Sequence, residues 1–353
     1  MAQPTIKDVA KLAGVSISTV SRVMNKSKPV SPEAEQKVQD AITKLGFKAN
    51  QLARSLVMKK SNSIGILVQD IGIDYMAQIV RGVEEVGRLD DDSHDILLSS
   101  TYDKLEQKRD SVEALYKKQV EGVVVISEDI EPEIIVKIKD FGLPYILLDR
   151  FYKANDFRTV SFDCRTAMKE ITDYVISLGN KKLTYVRRDL GYEITKMKSA
   201  GFEDAVREHK LEPDIYNCET GEGLEKETEI EIGYHAAEEL LGKKKLRNHA
   251  FVCESDDLAI GIYHYCYDHK ISVPDDIQIT GFGCSRFSQT IRPRLTTVVE
   301  GYYDIGAVAI RLLIKLLHYN SKHMGEPRKM TLDESVYLPT EIKVGESTKK
   351  RNT

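Results

Sequence analysis

From Ser61 onward short apolar runs recur between stretches of helical periodicity, and no other feature narrows the fold as much. Ile64-Gly65-Ile66-Leu67-Val68 is one such run. It shows no polar alternation, as expected of a strand buried on both faces of a parallel sheet. A helix is expected after it, at about 75–89. Similar runs stand at Ile96-Leu97-Leu98, Gly122-Val123-Val124-Val125-Ile126 and Tyr145-Ile146-Leu147-Leu148. A second set follows at Leu183-Thr184-Tyr185-Val186, Ala250-Phe251-Val252-Cys253 and Ile277-Gln278-Ile279-Thr280-Gly281. Helical periodicity reads at 165–178, 194–209, 226–241, 255–267 and 302–317. Strands alternating with helices build α/β units, and this length holds two doubly wound parallel-sheet subdomains. A ligand of such a body binds in the cleft beyond the carboxyl ends of the strands.

The first sixty residues are different. In Thr5-Ile6-Lys7-Asp8-Val9-Ala10-Lys11-Leu12-Ala13, the residues Val9, Ala10 and Ala13 share one helical face. Gly14 supplies the permissive backbone that a tight turn needs. Ser16 is placed to cap a second helix, in which Thr19, Val20 and Val23 pack inward. Small Ala10 lets the two helices cross closely. Ile17, Ser18, Ser21 and Arg22 remain on the outer face. This is the pattern of a helix-turn-helix, whose second helix enters a major groove. Ser31-Pro32-Glu33 starts a third helix, with Ser31 as cap and acidic residues at its positive end. Val38, Ala41, Ile42 and Leu45 form its buried stripe, and Gly46 ends it. Asn50 caps a further helix of about two turns, too short to be stable alone in water.

Charge separates the same two regions. The net charge of −4 hides eleven Lys/Arg against four Asp/Glu in residues 1–60, and 40 against 51 in the remainder. A basic head on an acidic body suggests that the head meets a polyanion. No apolar run approaches the roughly 20 residues of a membrane span. The N-terminus has no apolar signal core, so a cytoplasmic protein is expected. Five cysteines, an odd number without Cys-x-x-Cys, read as reduced thiols. The eight histidines show no zinc-like spacing, and neither metal nor cofactor is expected.

The stretches Thr5-Ile6-Lys7-Asp8-Val9-Ala10, Gly14-Val15-Ser16, Thr19-Val20-Ser21-Arg22-Val23 and Ala53-Arg54-Ser55-Leu56 resemble the LacI/GalR repressor family along the whole chain, most strongly in the head. The resemblance implies a helix-turn-helix domain at 1–48, a hinge helix and linker at 49–60, and a body at 61–347 like the periplasmic sugar-binding proteins. The body divides into an N-subdomain (about 61–161 and 291–321) and a C-subdomain (about 163–289 and 328–344). Crossings fall near 161–163, 288–293 and 322–331, and residues 348–353 form a disordered tail. It further implies a homodimer on a palindromic double-stranded operator, contacted by Thr5, Ser16, Ile17, Ser18, Thr19, Ser21, Arg22, Asn25, Asn50, Ala53, Arg54 and Leu56. In the family the hinge leucines of two subunits wedge into the minor groove and kink it, which here is Leu56. Unstacking a base step costs a few kcal/mol, offset by the contact that the bend brings. Repression is the expected direction of regulation.

The cleft departs from the family pattern. Sugar-responsive members carry Asn or Asp where this chain has Cys164, and Arg where it has Lys198. They have Asn-Asp where it has Ser255-Asp256, and Asp where it has Gly283. Their Asn-Pro-Phe-Phe is replaced by Ile73-Asp74-Tyr75-Met76. Unpaired sugar hydroxyls cost about 1–3 kcal/mol each on burial, so these losses argue against a tight monosaccharide ligand. A small sugar or sugar phosphate in a rebuilt pocket around Asp70, Tyr75, Lys198 and Asp256 is the alternative effector.

Two further stretches, Lys118-Gln119-Val120-Glu121-Gly122 and Tyr303-Asp304-Ile305-Gly306-Ala307-Val308-Ala309-Ile310-Arg311, resemble the catabolite control branch of that family. Its corepressor is the phosphocarrier protein HPr, phosphorylated on serine. The matching positions are Tyr303, Asp304, Val308 and Arg311, spaced to share an outward helix face. Arg311 can offer a bidentate donor to phosphate. The head differs from that branch at Ile17-Ser18. An enzyme and an exported sugar-binding protein are the rival classes. Neither Gly281-Phe282-Gly283 nor Gly221-Glu222-Gly223 completes a phosphate loop, and Asp256-Asp257 reads as a helix cap.

Overall fold

In a computed structural model of the chain, the described residues are 4–25, 29–47, 61–89, 93–127, 130–148, 159–218, 228–322 and 336–350. They form two compact units, residues 1–62 and 63–353.

The first unit is three helices, α1 (Ile6–Ala13), α2 (Ile17–Asn25) and α3 (Pro32–Leu45). The Thr5 N–H and hydroxyl donate to Asp8 at 2.8 and 2.7 Å, closing the start of α1. Gly14 ends it at φ +68°, a backbone that an L side chain resists. The Thr19 N–H donates to Ser16 Oγ at 3.1 Å, and the Ala34 N–H to Ser31 Oγ at 3.4 Å. These are the caps expected of the two serines. Val9, Ala10, Ala13, Val20, Val23, Val38 and Ala41 make one small core.

The second unit holds two six-stranded sheets. The first contains β1 (Ser63–Val68), β2 (Asp95–Ser100), β3 (Gly122–Ile126), β4 (Tyr145–Leu148), β5 (Thr159–Phe162) and β11 (Val336–Leu338). Their order is β11-β5-β4-β3-β1-β2, and every pairing is parallel. The second contains β6 (Leu183–Arg188), β7 (Ile215–Cys218), β8 (His249–Cys253), β9 (Ile277–Gly283), β10 (Thr296–Val299) and β12 (Glu341–Lys343). Their order is β12-β10-β9-β8-β6-β7, parallel except at β12.

Helices cover both faces, as the continuous apolar strands require. They are α4 (Asp74–Leu89), α5 (Leu105–Lys117), α6 (Pro132–Asp140), α7 (Cys164–Ser177), α8 (Glu193–Glu208), α9 (Glu229–Ala237, continued by a π-helical turn at Glu238–Lys243), α10 (Asp256–Asp268) and α11 (Tyr302–Lys322). One apolar core runs from β1, α4 and α11 of the first lobe into α7 and α8 of the second. Separate cores lie under α5 and α6 and under α9 and α10.

Two expected boundaries change. β10 pairs with β9, Thr296 opposite Thr280, so the chain stays in the second sheet through Val299. The second crossing therefore falls at Glu300-Gly301 and not near 288–293. β11 pairs with β5 and β12 with β10, so the third crossing falls at Pro339-Thr340 and not at 322–331. The polar stretch 288–293 marks a loop within one lobe rather than a passage between lobes. The start of the expected tail is also ordered. Thr348 is buried against Thr296 (Oγ1–Oγ1 2.8 Å), and Gln278 Nε2 donates to the Lys349 carbonyl at 2.9 Å.

Candidate functional site

Three surfaces carry the candidate residues. On α2, Val20 and Val23 are buried, Thr19 and Ser21 are half-buried, and Ser16, Ile17, Ser18 and Arg22 are exposed. Ile17 keeps 46% of its surface exposed, much as Leu12 of α1 does at 45%, and stands on the outer face of α2. The Ser16 hydroxyl also lies 2.7 Å from that of Ser18 and 2.9 Å from that of Thr19, so the start of α2 is held before any partner arrives. Thr5 is exposed at the start of α1. Asn25 closes α2, its side chain outside the described residues. Asn50, Ala53, Arg54 and Leu56 also lie outside the described residues.

The second surface is the cleft beyond the carboxyl ends of the strands. Lys198 of α8 is buried, its Nζ 3.2 Å from the Glu254 carbonyl and 4.0 Å over the Phe282 ring. The Ser255 hydroxyl caps α10 through the Leu258 N–H and donates to Glu229 at 2.6 Å. Asp256 is buried and accepts from Thr297 Oγ1 at 2.6 Å and from the Ser285 N–H at 2.5 Å. Burial pushes its carboxyl up despite these bonds. Its oxygens tie the loop after β9 to β10 and brace the cleft wall. Asp70 accepts the Gly72 N–H at 2.8 Å, within its own turn.

Cys164, Gly283 and Tyr75 come together around two residues that sequence reasoning missed, Glu300 and Tyr302. The buried Glu300 carboxylate takes the Tyr302 hydroxyl on one oxygen, while Cys164 Sγ stands 3.7 Å from the other. The Tyr75 and Tyr302 rings lie 5.1 Å apart at 35°, with Phe162 edge-on to Tyr302 at 6.0 Å. A Cβ on Gly283 would stand 3.2 Å from the Tyr302 hydroxyl and 3.9 Å from Glu300 Oε2. The available signal is the crossing itself: a cleft in a two-lobed fold is lined where the chain passes between lobes, and that passage lies after β10, at Glu300-Gly301, rather than near 288–293. Arg188, Glu229, Glu254 and Asp257 also reach this region unannounced. The Arg188 N–H donates to Glu254 at 2.9 Å, and its guanidinium pairs with Glu229 at 3.4 Å. Burial pushes Glu254 up. Burial, then Glu229, Asp256 and Asp74, raise Asp257 to about 6.

The third surface is α11. Asp304 and Arg311 are exposed, Tyr303 and Val308 half-buried. The Tyr303 hydroxyl donates to Glu85 of α4 at 3.0 Å, Arg81 lies 5.8 Å over its ring, and Arg81 pairs with Glu85 at 2.8 Å. Arg81 and Glu85 are thus part of the same face, a cross-helix contact invisible in a single helical pattern.

Residues 5–50 match the bacterial regulatory proteins of the lacI family, and residues 172–348 match the periplasmic binding protein-like domain. Catabolite control protein A of Staphylococcus xylosus is 33% identical over 345 residues, 98% of this chain and 99% of that protein. The chain belongs to the LacI family of bacterial regulatory proteins. It is a DNA-binding transcription regulator, close to the catabolite regulators, and its relatives are regulators rather than enzymes. HTH-type transcriptional regulator RegA of Clostridium saccharobutylicum is 33% identical over 330 residues, 92% of this chain and 95% of that protein. The lac repressor dimer, solved on its operator with the anti-inducer ONPF, aligns with a TM-score of 0.81 over 99% of this chain and 100% of that one. At 18% identity that likeness speaks to the fold. No described helix is long and apolar enough to cross a membrane.

Proposed function

We propose that this LacI-family regulator binds a palindromic operator as a homodimer and represses catabolite-linked genes, with serine-phosphorylated HPr as corepressor. The observation that carries the operator reading is the outer face of α2, where Ile17, Ser18 and Arg22 stand exposed on a helix fixed by Ser16 and by the small core behind it. Arg22 suits guanine O6 and N7, and Ile17 suits a thymine methyl. A single helix-turn-helix makes a small interface, and two are needed for specific affinities of about 10⁻⁸–10⁻¹¹ M. That need supports the dimer, as does the lac repressor, which was solved as an operator-bound dimer. Leu56 is assigned to the minor-groove wedge from the sequence resemblance.

The corepressor reading rests on Tyr303, Asp304, Val308 and Arg311, which match the catabolite control branch and share one side of α11. Arg311 is exposed there and offers a guanidinium to a phosphoserine. Selection of bound duplexes from a randomised library tests the operator reading. The expected outcome is a two-fold symmetric consensus. A single asymmetric half-site bound by a monomer, as judged by light scattering, rejects it.

A further inference from the structure

Five elements bring residues to one point beyond the carboxyl ends of the strands: Cys164 opens α7, Gly283 closes β9, Glu300 follows β10, and Tyr75 and Tyr302 begin α4 and α11. Gly283 carries no side chain, and the carboxylate that stands beside it is Glu300, beyond the neighbouring strand, its Oε2 lying 3.9 Å from where a Cβ of residue 283 would be.

Its surroundings differ from those of a neutral sugar acceptor. Glu300 is 7% exposed, and its hydrogen-bond partners are a tyrosine hydroxyl and a thiol, both uncharged. It stands just ahead of the α11 N-terminus, where negative charge is favoured. It makes no ion pair among the described residues. Asp74 of α4 and Asp257 of α10, close enough to repel each other across the cleft, also make none among the described residues. The nearby cations are committed, Arg188 to Glu229 and Lys198 to the Glu254 carbonyl and the Phe282 ring. A neutral ligand closing this cleft leaves a buried carboxylate without a counter-charge, which is costly. An ammonium group supplies the counter-charge, and the packed pair Tyr75–Tyr302 beside Glu300 is an aromatic wall for the apolar side of a sugar ring. One donor also awaits a ligand: Arg188 Nε is buried and has no hydrogen-bond partner among the described residues, which suits a ring hydroxyl.

We infer that the cleft binds a small amino sugar, with its ammonium group on Glu300 and its ring against Tyr75 and Tyr302. This rests on the family reading of the body as an effector-binding domain and is independent of the α11 docking face.

Calorimetry on the full-length protein tests it, with glucosamine, glucose and N-acetylglucosamine as probes at neutral pH. The three share a ring and differ at one substituent, which is charged only in glucosamine. Saturable binding of glucosamine, with the two uncharged sugars weaker by about tenfold or more, is the expected result. Glu300→Gln should weaken glucosamine by a similar factor and leave the thermal midpoint near that of the parent. Equal binding of glucose and glucosamine overturns the inference, as does no binding of glucosamine up to the millimolar range. The comparison of sugars uses the unaltered protein, so a Glu300→Gln variant that fails to fold does not blunt it. Operator binding measured in the same preparation separates a failed regulator reading from a failed amine reading.

Discussion

An exposed guanidinium on a groove-reading helix meets two kinds of acceptor, phosphate oxygens and the O6/N7 edge of guanine. The first carries no sequence information, and the second is worth about 1–3 kcal/mol of discrimination. Arg22 is exposed beside Ile17 and Ser18, away from the core built on Val20 and Val23. Arg22→Ala should therefore relax preference at one base pair in each half-site, while loss shared by all sequences would make it a phosphate contact. Competition titrations with single-base operator variants distinguish the two. At Asp257 burial acts first and repulsion adds to it. Burial, Glu229 of α9, Asp256 of α10 and Asp74 of α4 raise its carboxyl to about 6, above the ordinary aspartate value of 3.8. Folding takes up a proton between those values, so stability falls as pH rises through that window; below it both states are protonated and the effect vanishes. Asp257→Asn should melt a few degrees higher than the parent above about pH 7, with the gap closing towards pH 4. A gap that is independent of pH, or of opposite sign, shows that the Asp257 carboxyl is not raised by its surroundings.

Two helices of the first lobe meet at glycines. A Cβ on Gly82 of α4 would lie 2.1 Å from the Tyr303 carbonyl, and one on Gly306 of α11 would lie 2.2 Å from the Ile79 carbonyl. Both obstacles are backbone, so a methyl group must push the helices apart. Gly82→Ala should cost about 1–3 kcal/mol or more, a fall in melting temperature of several degrees in a unit this size. An unchanged melting curve would show that the crossing is looser than described. That crossing also shows what a sequence reveals. The stretch 302–317 was legible as a helix from its apolar period, and Tyr303, Asp304, Val308 and Arg311 from their spacing. Glu85 and Arg81 were not, because they belong to another helix and meet Tyr303 only after folding. The seven long apolar strands were readable for the same periodic reason. β5, β7, β10, β11 and β12 were not, since each has only three or four residues, and all but Val336-Tyr337-Leu338 include Thr, Ser, Asn or Lys. Missing β10 displaced the crossing, and with it went Glu300, the cleft residue with the most consequence.

For the whole molecule, the question is how a partner on the body changes what the head does on DNA. A corepressor shifts the balance between DNA-competent and incompetent states only by its differential affinity for them. The same coupling must then appear in reverse, with operator tightening the corepressor by the factor that corepressor tightens operator. If serine-phosphorylated HPr docks on α11, its phosphate needs a cation that is not already committed elsewhere. Arg311 is exposed and forms no ion pair among the described residues, while Arg81 on the same face is held by Glu85. Arg311→Ala should remove most of the enhancement, which we expect to be about tenfold within the usual range of coupling energies. Affinity for operator alone should be retained, because the residue is not on the reading helix. Anisotropy of a labelled operator, with and without the phosphorylated and unphosphorylated partner, measures both arms. Enhancement that persists in the variant, or that does not depend on the phosphate, removes Arg311 from the docking contact. No enhancement in the parent protein, with operator binding intact, removes the protein corepressor; control then falls to a small ligand of the cleft or to the abundance of the regulator itself.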